Sequence, residues 1–409
     1  MLEVLIPLFD EAMAVKAYSV FIQKDNYLLN PFSVGTGRYD GASRVDALEL
    51  LEKVGYDTLA GDAMIFIPTN NVTIFADVAP QTTAPHERIC FLLDNSIPPL
   101  PSYIARLEEL HSMGFKLGIR KLAVNQFENY RGVLALMDFV FLNSKKIAID
   151  KARIYFSKIF PHIALCAGNI DTMDDFERLK KNGGYAYYEG DFYRVPLTAG
   201  HHEEIAPLKM TYIELLNTVN NPDFELTEAA EVISKDTALT IRLLEMVNRM
   251  TVNSGITTIK HAAAMLGQKE LKKWINTAVA NELYADKPGE MTRLSLVRAK
   301  FAENLAPHFN MTAQKDELFL MGLFSILDTI LDKPMKEALD LMKVSDAIRS
   351  ALIQMDGPLA PIYDFIRQYE AANWLDVSKV MLIGNIPLEK VQDAYDSALI
   401  WYRDLITAK

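Results

Sequence analysis

The stretch that decides the fold of the second half of the chain is residues 221–283, NPDFELTEAAEVISKDTALTIRLLEMVNRMTVNSGITTIKHAAAMLGQKELKKWINTAVANEL. Thr227, Asp236 and Thr258 each precede an apolar pattern of helical period, so we expect them to cap three successive helices. Gly267 is expected to end the third helix in a left-handed conformation, and a fourth helix follows it. Short amphipathic helices joined by capped turns predict a compact helical bundle.

The same stretch resembles the signature of the HDOD domain, a bacterial signalling module related to the HD phosphohydrolases but without their metal ligands. The residues that carry the resemblance are Asp236-Thr237-Ala238-Leu239, Arg242-Leu243-Leu244, Asn248, Ile259, Ala263 and Leu266-Gly267. The resemblance continues downstream and covers about half of the chain. It implies a helical domain that acts through contacts with other proteins.

The residues before this stretch alternate between short apolar runs and helical patterns. An apolar strand pair opens the chain, Ser43 and Thr172 are candidate helix caps, and further strands are expected at 64–68, 88–94, 115–119, 138–142, 162–167 and 185–188. Such alternation predicts a parallel sheet covered by helices, either a closed (β/α) barrel, which we favour, or an open doubly wound sheet. No glycine-rich phosphate loop follows any of the strands.

Several segments of this first half resemble the EAL domain, a barrel that hydrolyses cyclic di-GMP with two metal ions. They are LIPLFD, AVKAYSVFIQ, GFKLGIRKL, MDFVFLN, ALCAGNIDTMDDF and YYEGDFYRVP, in the order and spacing of that family. Together the two resemblances imply an α/β plus all-α protein of EAL–HDOD type. The expected domains are residues 1–205, a degenerate EAL-like barrel, and residues 206–409, an HDOD-like helical domain.

The resemblance places other residues where the EAL family has its metal ligands. The positions without the family's residue are Ser19, Pro68, Phe91, Arg120, Lys121, Phe141, Asn143 and Gly168, while Asp94, Asp171 and Glu189 keep an acidic group. Two cations in place of two carboxylates would repel a metal ion. We therefore expect a barrel without metal or other cofactor and without catalysis, in which Arg120 and Lys121 are candidates for binding an anion.

The helical half also lacks a metal-binding set. Ser325 and Ile326 stand where the resemblance places the His–Asp pair of HD phosphohydrolases, and neither residue is a strong ligand. His261 and His308 have no ligand partner at a fixed local spacing, and the tandem His201-His202 lies in a polar linker. Such lone histidines are more often structural or surface residues.

Composition bounds the remaining possibilities. Half of the residues are hydrophobic, and a formal net charge of −11 argues against non-specific binding to nucleic acid or to an anionic membrane. Cys90 and Cys166 are expected to be buried, reduced thiols. The sequence shows no basic signal segment and no apolar run long enough to span a bilayer, so we expect a cytoplasmic protein.

The function expected from the sequence is that of a non-enzymatic signalling scaffold whose protein partner is unknown. A partner is expected to dock on the helix faces between Asp236 and Leu283. One alternative is a sensor that binds cyclic di-GMP through Arg120 and Lys121 without cutting it. The other is a weak phosphodiesterase or phosphohydrolase that uses Asp94, Asp171 and Glu189. The oligomeric state, including a homodimer, is left open.

Overall fold

The computed structural model describes residues 1–23, 28, 45–194, 205–250, 256–283, 287 and 289–407. In the described part of the first half of the chain there are eight strands: β1 (Leu2–Phe9), β2 (Val15–Gln23), β3 (Met64–Pro68), β4 (Ile89–Leu93), β5 (Lys116–Ile119), β6 (Phe139–Asn143), β7 (Ala164–Ile170) and β8 (Tyr187–Gly190). The helices between the strands are α1 (Asp46–Val54), α2 (Tyr56–Leu59), α3 (Pro101–Ser112), α4 (Arg131–Leu134), α5 (Ile149–Ile159) and α6 (Met173–Asn182).

The rest of the described chain is helical. Its helices are α7 (Pro207–Asn220), α8 (Leu226–Ile233), α9 (Thr237–Met250), α10 (Ile259–Leu283), α11 (Gly289–Leu305), α12 (Lys315–Phe324), α13 (Leu327–Leu331), α14 (Met335–Asp340), α15 (Asp346–Gln354), α16 (Ala360–Glu370), α17 (Trp374–Ile383) and α18 (Leu388–Thr407). The predicted fold class, an α/β barrel followed by an all-helical region, is therefore confirmed.

The eight strands close into one barrel in chain order, so the open doubly wound sheet is excluded. β1 pairs antiparallel with both β2 and β8, whereas each pair of consecutive strands from β2 to β8 is parallel. This agrees with the predicted strand pair at the start of the chain. Because β1 runs in the opposite direction, its first residues lie at the same end of the barrel as the carboxyl ends of the other strands.

The barrel interior is packed with apolar side chains that come from alternate positions of the strands. A buried cluster contains Leu8, Ala17, Phe66, Cys90, Leu92, Phe139, Phe141 and Cys166. Gly118 faces the same interior, since a Cβ added there would lie 3.2 Å from Cys90 Sγ. Because side chains alternate between the two faces of a strand, these interior residues also show which residues near the strand ends point inward.

The structure confirms two of the predicted N-terminal helix caps. Thr172 caps α6 as predicted, because its hydroxyl accepts a hydrogen bond from the backbone N–H of Asp175 at 3.1 Å. Asp236 caps α9 in the same way, through the N–H of Leu239 at 2.9 Å. Ser43, the third predicted cap, lies outside the described residues.

The predicted cap at Thr227 is wrong by two residues. Helix α8 begins at Leu226, and the residue before it, Glu225, donates its backbone N–H to the Glu228 carboxylate at 3.2 Å. Thr258 does accept a hydrogen bond from the N–H of His261, at 3.3 Å. Gly267 has φ 73° and interrupts α10, so the expected boundary between the third and fourth helices is present as a kink.

By its packing, the chain divides into two compact units. The first comprises Met1–Val195, Asn304–Thr312 and Asp364–Lys409, and the second comprises Pro196–Glu303 and Ala313–Tyr363. In the first unit the C-terminal helices pack on the outside of the barrel, where the Tyr369 hydroxyl accepts a hydrogen bond from the backbone N–H of Glu3 at 3.3 Å. The domain boundaries of 1–205 and 206–409 stay a prediction. None of the helices in the described ranges is both long and apolar enough to cross a membrane.

Candidate functional site

The end of the barrel where β2 to β8 terminate, which we call the mouth, is the candidate site. In (β/α) barrels the loops at this end carry the functional side chains. Two residues here that are not glycine have positive φ angles, Lys121 with φ 63° after β5 and Asn169 with φ 60° in β7. The left-handed region is unfavourable for lysine, whereas asparagine adopts it more readily.

Arg120 and Glu189 form an ion pair across the mouth. Arg120 Nη2 donates to Glu189 Oε1 at 3.0 Å, with side-chain exposures of 19% and 8%. The guanidinium carbon lies 5.4 Å from the centroids of both the Phe21 and the Phe141 rings, so aromatic faces flank the cation. A guanidinium has five N–H donors. The other donors of Arg120 make no hydrogen bond within the described ranges.

Among the described residues, only Arg120 donates a hydrogen bond to the Glu189 carboxylate. Its second oxygen, Oε2, is buried and has no hydrogen-bond partner in the part of the chain that the structure describes. A Cβ added at Gly168 would lie 3.8 Å from Oε1, which places the carboxylate directly above β7. A buried carboxylate beside a cation with spare donors is an arrangement that can bind a polar ligand.

Two more ion pairs lie on the rim of the mouth. Lys121 contacts Asp94 at 3.1 Å, and Lys145, in the loop after β6, contacts Asp171 at 2.6 Å. Burial tends to raise the pKa of Asp94, but hydrogen bonds from Ser96 and Lys121 outweigh it and leave the pKa below its usual value. Both lysines are more than half exposed, so these pairs contribute little and can exchange partners readily.

The structure brings most of the predicted positions to the mouth. Ser19 is buried in β2 and, like Ala17 two residues before it, faces inward. Pro68 ends β3, and Gly168 faces Glu189. Asn143 ends β6, where its side-chain oxygen accepts hydrogen bonds from the backbone N–H groups of Lys145 and Lys146.

Phe91 is the exception among these positions. Its neighbours Cys90 and Leu92 belong to the interior cluster, so Phe91 points to the outside of β4. There its ring packs on Phe115 at a centroid distance of 5.0 Å. The expectation that Phe91 lies at the site is wrong, because strand alternation turns it away from the barrel axis.

These residues do not fit the two metal ions that the EAL resemblance implies. Phenylalanine, proline and glycine side chains have no donor atom, and Glu189 already pairs with a guanidinium. No group of three or more His, Cys, Asp or Glu side chains suited to a metal occurs in the described ranges. We therefore derive no chemical step through a metal.

The position of the HD pair is a buried hydrogen-bonded site. Arg298 Nη1 donates to the Ser325 hydroxyl at 2.7 Å, and that hydroxyl donates to the Gly322 carbonyl at 2.6 Å. Ile326 is buried as well, with 5% exposure. A guanidinium therefore contacts the residue that stands where the resemblance places a metal ligand. His201 and His202 lie outside the described residues.

Two other predictions concern buried thiols and an exposed surface. Cys90 and Cys166 are free and buried, and burial raises the pKa of both thiols well above their usual value.

The helices between Asp236 and Leu283 expose apolar side chains, since Ile241 is 50% and Met265 is 54% exposed. An open groove of about 680 Å³ is lined by Ile241, Leu244, Glu245, Asn248, Arg249, Ile256 and Thr257. Partner docking on this surface stays a prediction.

Lys145 and Phe21 also belong to the site, although neither is among the residues predicted for it. Phe21 lies two residues after Ser19, so strand alternation could have placed it on the same inner face. Lys145 follows Asn143 directly after a predicted strand, which was a signal for a mouth position. Neither residue carries a motif of its own.

Comparison with known proteins supports the two-domain interpretation. The sequence model of the HDOD domain matches residues 205–345. The chain is 25% identical over 328 residues to cyclic di-GMP phosphodiesterase CdgJ of Vibrio cholerae, covering 79% of this chain and 75% of that protein. It is 23% identical to the uncharacterized protein YuxH of Bacillus subtilis, covering 98% of both.

Among solved structures, a standalone EAL protein from Vibrio cholerae O395 in its c-di-GMP-bound form is similar to 47% of this chain. The match covers 90% of that protein at 18% identity, with a TM-score of 0.37. The relationship with CdgJ contradicts our prediction that the chain is not an enzyme, since that relative is named for a phosphodiesterase activity. The HDOD resemblance that the sequence suggested for the second half of the chain is confirmed, since the HDOD model matches residues 205–345.

Proposed function

We propose that this protein acts in cyclic di-GMP signalling and binds cyclic di-GMP at the mouth of its barrel. The proposal rests on the environment of Arg120. Its guanidinium is largely buried, lies between two aromatic rings, and has N–H donors that make no hydrogen bond to the described residues. Arginine is well suited to phosphate, because its planar fork can donate two parallel hydrogen bonds to phosphate oxygens. The relatedness to CdgJ supports the identity of the ligand. The cytoplasm is the compartment that we propose for this role.

The rim supplies further cations for a ligand with two phosphates. Lys121 follows β5 and Lys145 follows β6, so the two lysines stand on neighbouring strands beside Arg120. Their present partners, Asp94 and Asp171, lie in exposed ion pairs. A phosphate can replace an exposed carboxylate at small cost, because such pairs contribute only about 0–1 kcal/mol.

A calorimetric titration of the full chain with cyclic di-GMP tests the proposal. Replacing both members of the central pair, Arg120→Gln with Glu189→Gln, removes the guanidinium without leaving a buried charge. A charged hydrogen bond to phosphate contributes about 1.5–3 kcal/mol of binding free energy. We therefore expect its loss to lower the affinity about 10- to 100-fold. Glu189→Gln alone keeps the guanidinium and should retain most of the binding.

A matched pair of lysine variants tests the rim. Lys145→Gln should weaken binding about three- to tenfold, since one exposed phosphate contact is lost. Lys158→Gln is the control, because Lys158 lies in the last turn of α5, at the opposite end of the barrel. Equal loss in both variants, or no binding by the unmodified chain at high micromolar ligand, would overturn the proposal.

Phosphodiesterase activity is the second candidate function, and the relationship with CdgJ favours it. The acids available at the mouth are Asp94, Asp171 and Glu189. The assay measures conversion of cyclic di-GMP to its linear dinucleotide with Mg²⁺ or Mn²⁺. Activity that is lost in Glu189→Gln and kept in Asp62→Asn would support it, since Asp62 is fully exposed in the loop before β3. No conversion by the unmodified chain with either ion would remove this candidate.

A further inference from the structure

Glu3 is a buried acid that the proposed function does not use. It lies on β1 and is 0% exposed, and it faces away from the barrel interior because Leu8 and the even-numbered positions of this strand face inward. Neither of its carboxylate oxygens has a hydrogen-bond partner within the described ranges. An ionised carboxylate in such surroundings is highly unfavourable unless something neutralises it.

The neighbour of Glu3 is a second acid, Asp396 on α18. Asp396 is 6% exposed, and its Oδ2 accepts a hydrogen bond from Lys53 Nζ at 2.7 Å, while Oδ1 is buried without a partner of its own. Burial, and after it the nearness of the Asp396 carboxylate, raises the pKa of Glu3 well above its usual value. A protonated carboxylic acid has one O–H donor, which is what an unpartnered carboxylate oxygen requires.

The other charged or titratable groups around the pair come from four elements. The Met1 amine donates to Gln392 Oε1 at 3.0 Å, and Lys53 on α1 is the other cation. Tyr369 on α16 accepts a hydrogen bond from the backbone of Glu3, and burial raises the pKa of its hydroxyl well above the usual value. The remaining groups of this neighbourhood are Glu389, Asp393 and Tyr395 on α18.

We propose that Glu3 and Asp396 share one proton and that this proton holds α18 against β1. Glu3 donates its O–H to Asp396 Oδ1, so the pair carries one negative charge, which Lys53 balances. The contact joins the first strand of the barrel to the last helix of the chain. It lies at the mouth end, since Glu3 pairs with Ile22 one residue before the end of β2.

The shared proton makes this contact sensitive to pH. In the unfolded chain Glu3 has an ordinary pKa, whereas in the folded protein its pKa is raised. The folded state therefore binds one more proton between these two values, and its stability falls as pH rises through that window. Once the proton has left, two negative carboxylates repel each other in a buried place, and α18 loosens from β1.

Hydrogen exchange of the full chain between about pH 6 and pH 9 measures this loosening. The Glu3→Gln variant keeps a donor to Asp396 but cannot lose it, so α18 should stay protected at every pH. The ratio of wild-type to variant exchange rates in α18 should rise by up to tenfold per pH unit, because one proton is released. The matched control is Glu11→Gln, an exposed position in the turn between β1 and β2.

Infrared spectroscopy of the unmodified protein detects the protonated carboxyl group directly. At neutral pH we expect the carbonyl band of one buried carboxylic acid, which disappears on alkaline titration together with the protection of α18. Absence of that band would overturn the proposal even if the variant failed to fold. Stabilisation of the wild type but not of Glu3→Gln by Ca²⁺ or Mg²⁺ would also overturn it, because a cation would then occupy the place of the proton.

Discussion

Glu3 and Glu189 are two buried glutamates on strands of one barrel, and they differ in what stands beside them. Glu189 faces a guanidinium, Arg120, at 3.0 Å. Glu3 faces another carboxylate, Asp396, which already has Lys53 as its partner. The first arrangement fixes a cation where a phosphate can reach it, whereas the second requires a proton. The neighbour, rather than the glutamate itself, decides whether a buried acid serves ligand binding or a response to pH.

The largest effect is expected from removing the guanidinium alone. Arg120→Met leaves Glu189 buried without a cation, and breaking a largely buried pair in this way costs about 3–5 kcal/mol. Denaturant unfolding at neutral pH measures the loss, and adding Glu189→Gln should restore most of it. A loss below about 1 kcal/mol in the single variant would mean that the pair is solvated like a surface ion pair.

A smaller effect with a distinctive sign is expected from Lys53→Met. Asp396 loses its cation, but Lys53 is 47% exposed, so we expect a loss of only about 1 kcal/mol at neutral pH. The charge of Lys53 also lowers the pKa of Glu3. Without it, α18 should loosen at a higher pH than in the wild type. Loosening at a lower pH in this variant would contradict the shared proton.

The smallest effect is expected at the rim, from Asp94→Asn. Its exposed pair with Lys121 contributes at most about 1 kcal/mol. Because the pKa of Asp94 is lowered in the folded protein, its contribution is present above the unfolded value and is lost as pH falls through the folded value. Unfolding curves of wild type and variant should therefore converge in acid. If the difference between them grew in acid, the sign of this assignment would be wrong.

Much of the fold could be predicted because it follows local rules. Strand and helix patterns alternate from the start of the chain to Tyr187, and the barrel follows from them. Asp236 and Thr172 act as caps because the chemistry of a cap depends on three or four neighbouring residues. The cap at Thr227 failed because Glu225 and Glu228 form an equivalent local arrangement that starts the helix earlier.

The site could be predicted only in part because its contacts are not local. Arg120 was identified as a candidate anion-binding residue, but its partner Glu189 is 69 residues away and reaches it only when the barrel closes. The resemblance alone does not show which face of β4 Phe91 occupies, and strand alternation turns this residue away from the barrel axis. Glu3 lies in an apolar run where its charge was the only signal, and nothing in the sequence pairs it with Asp396 on α18.

Binding of cyclic di-GMP by Arg120 at the mouth can be measured by calorimetric titration of three proteins. We expect the unmodified chain and Glu189→Gln to bind the dinucleotide, and the double variant Arg120→Gln with Glu189→Gln to bind it about 10- to 100-fold more weakly. Equal affinity of all three proteins, or no binding by the unmodified chain, would mean that Arg120 does not bind the dinucleotide.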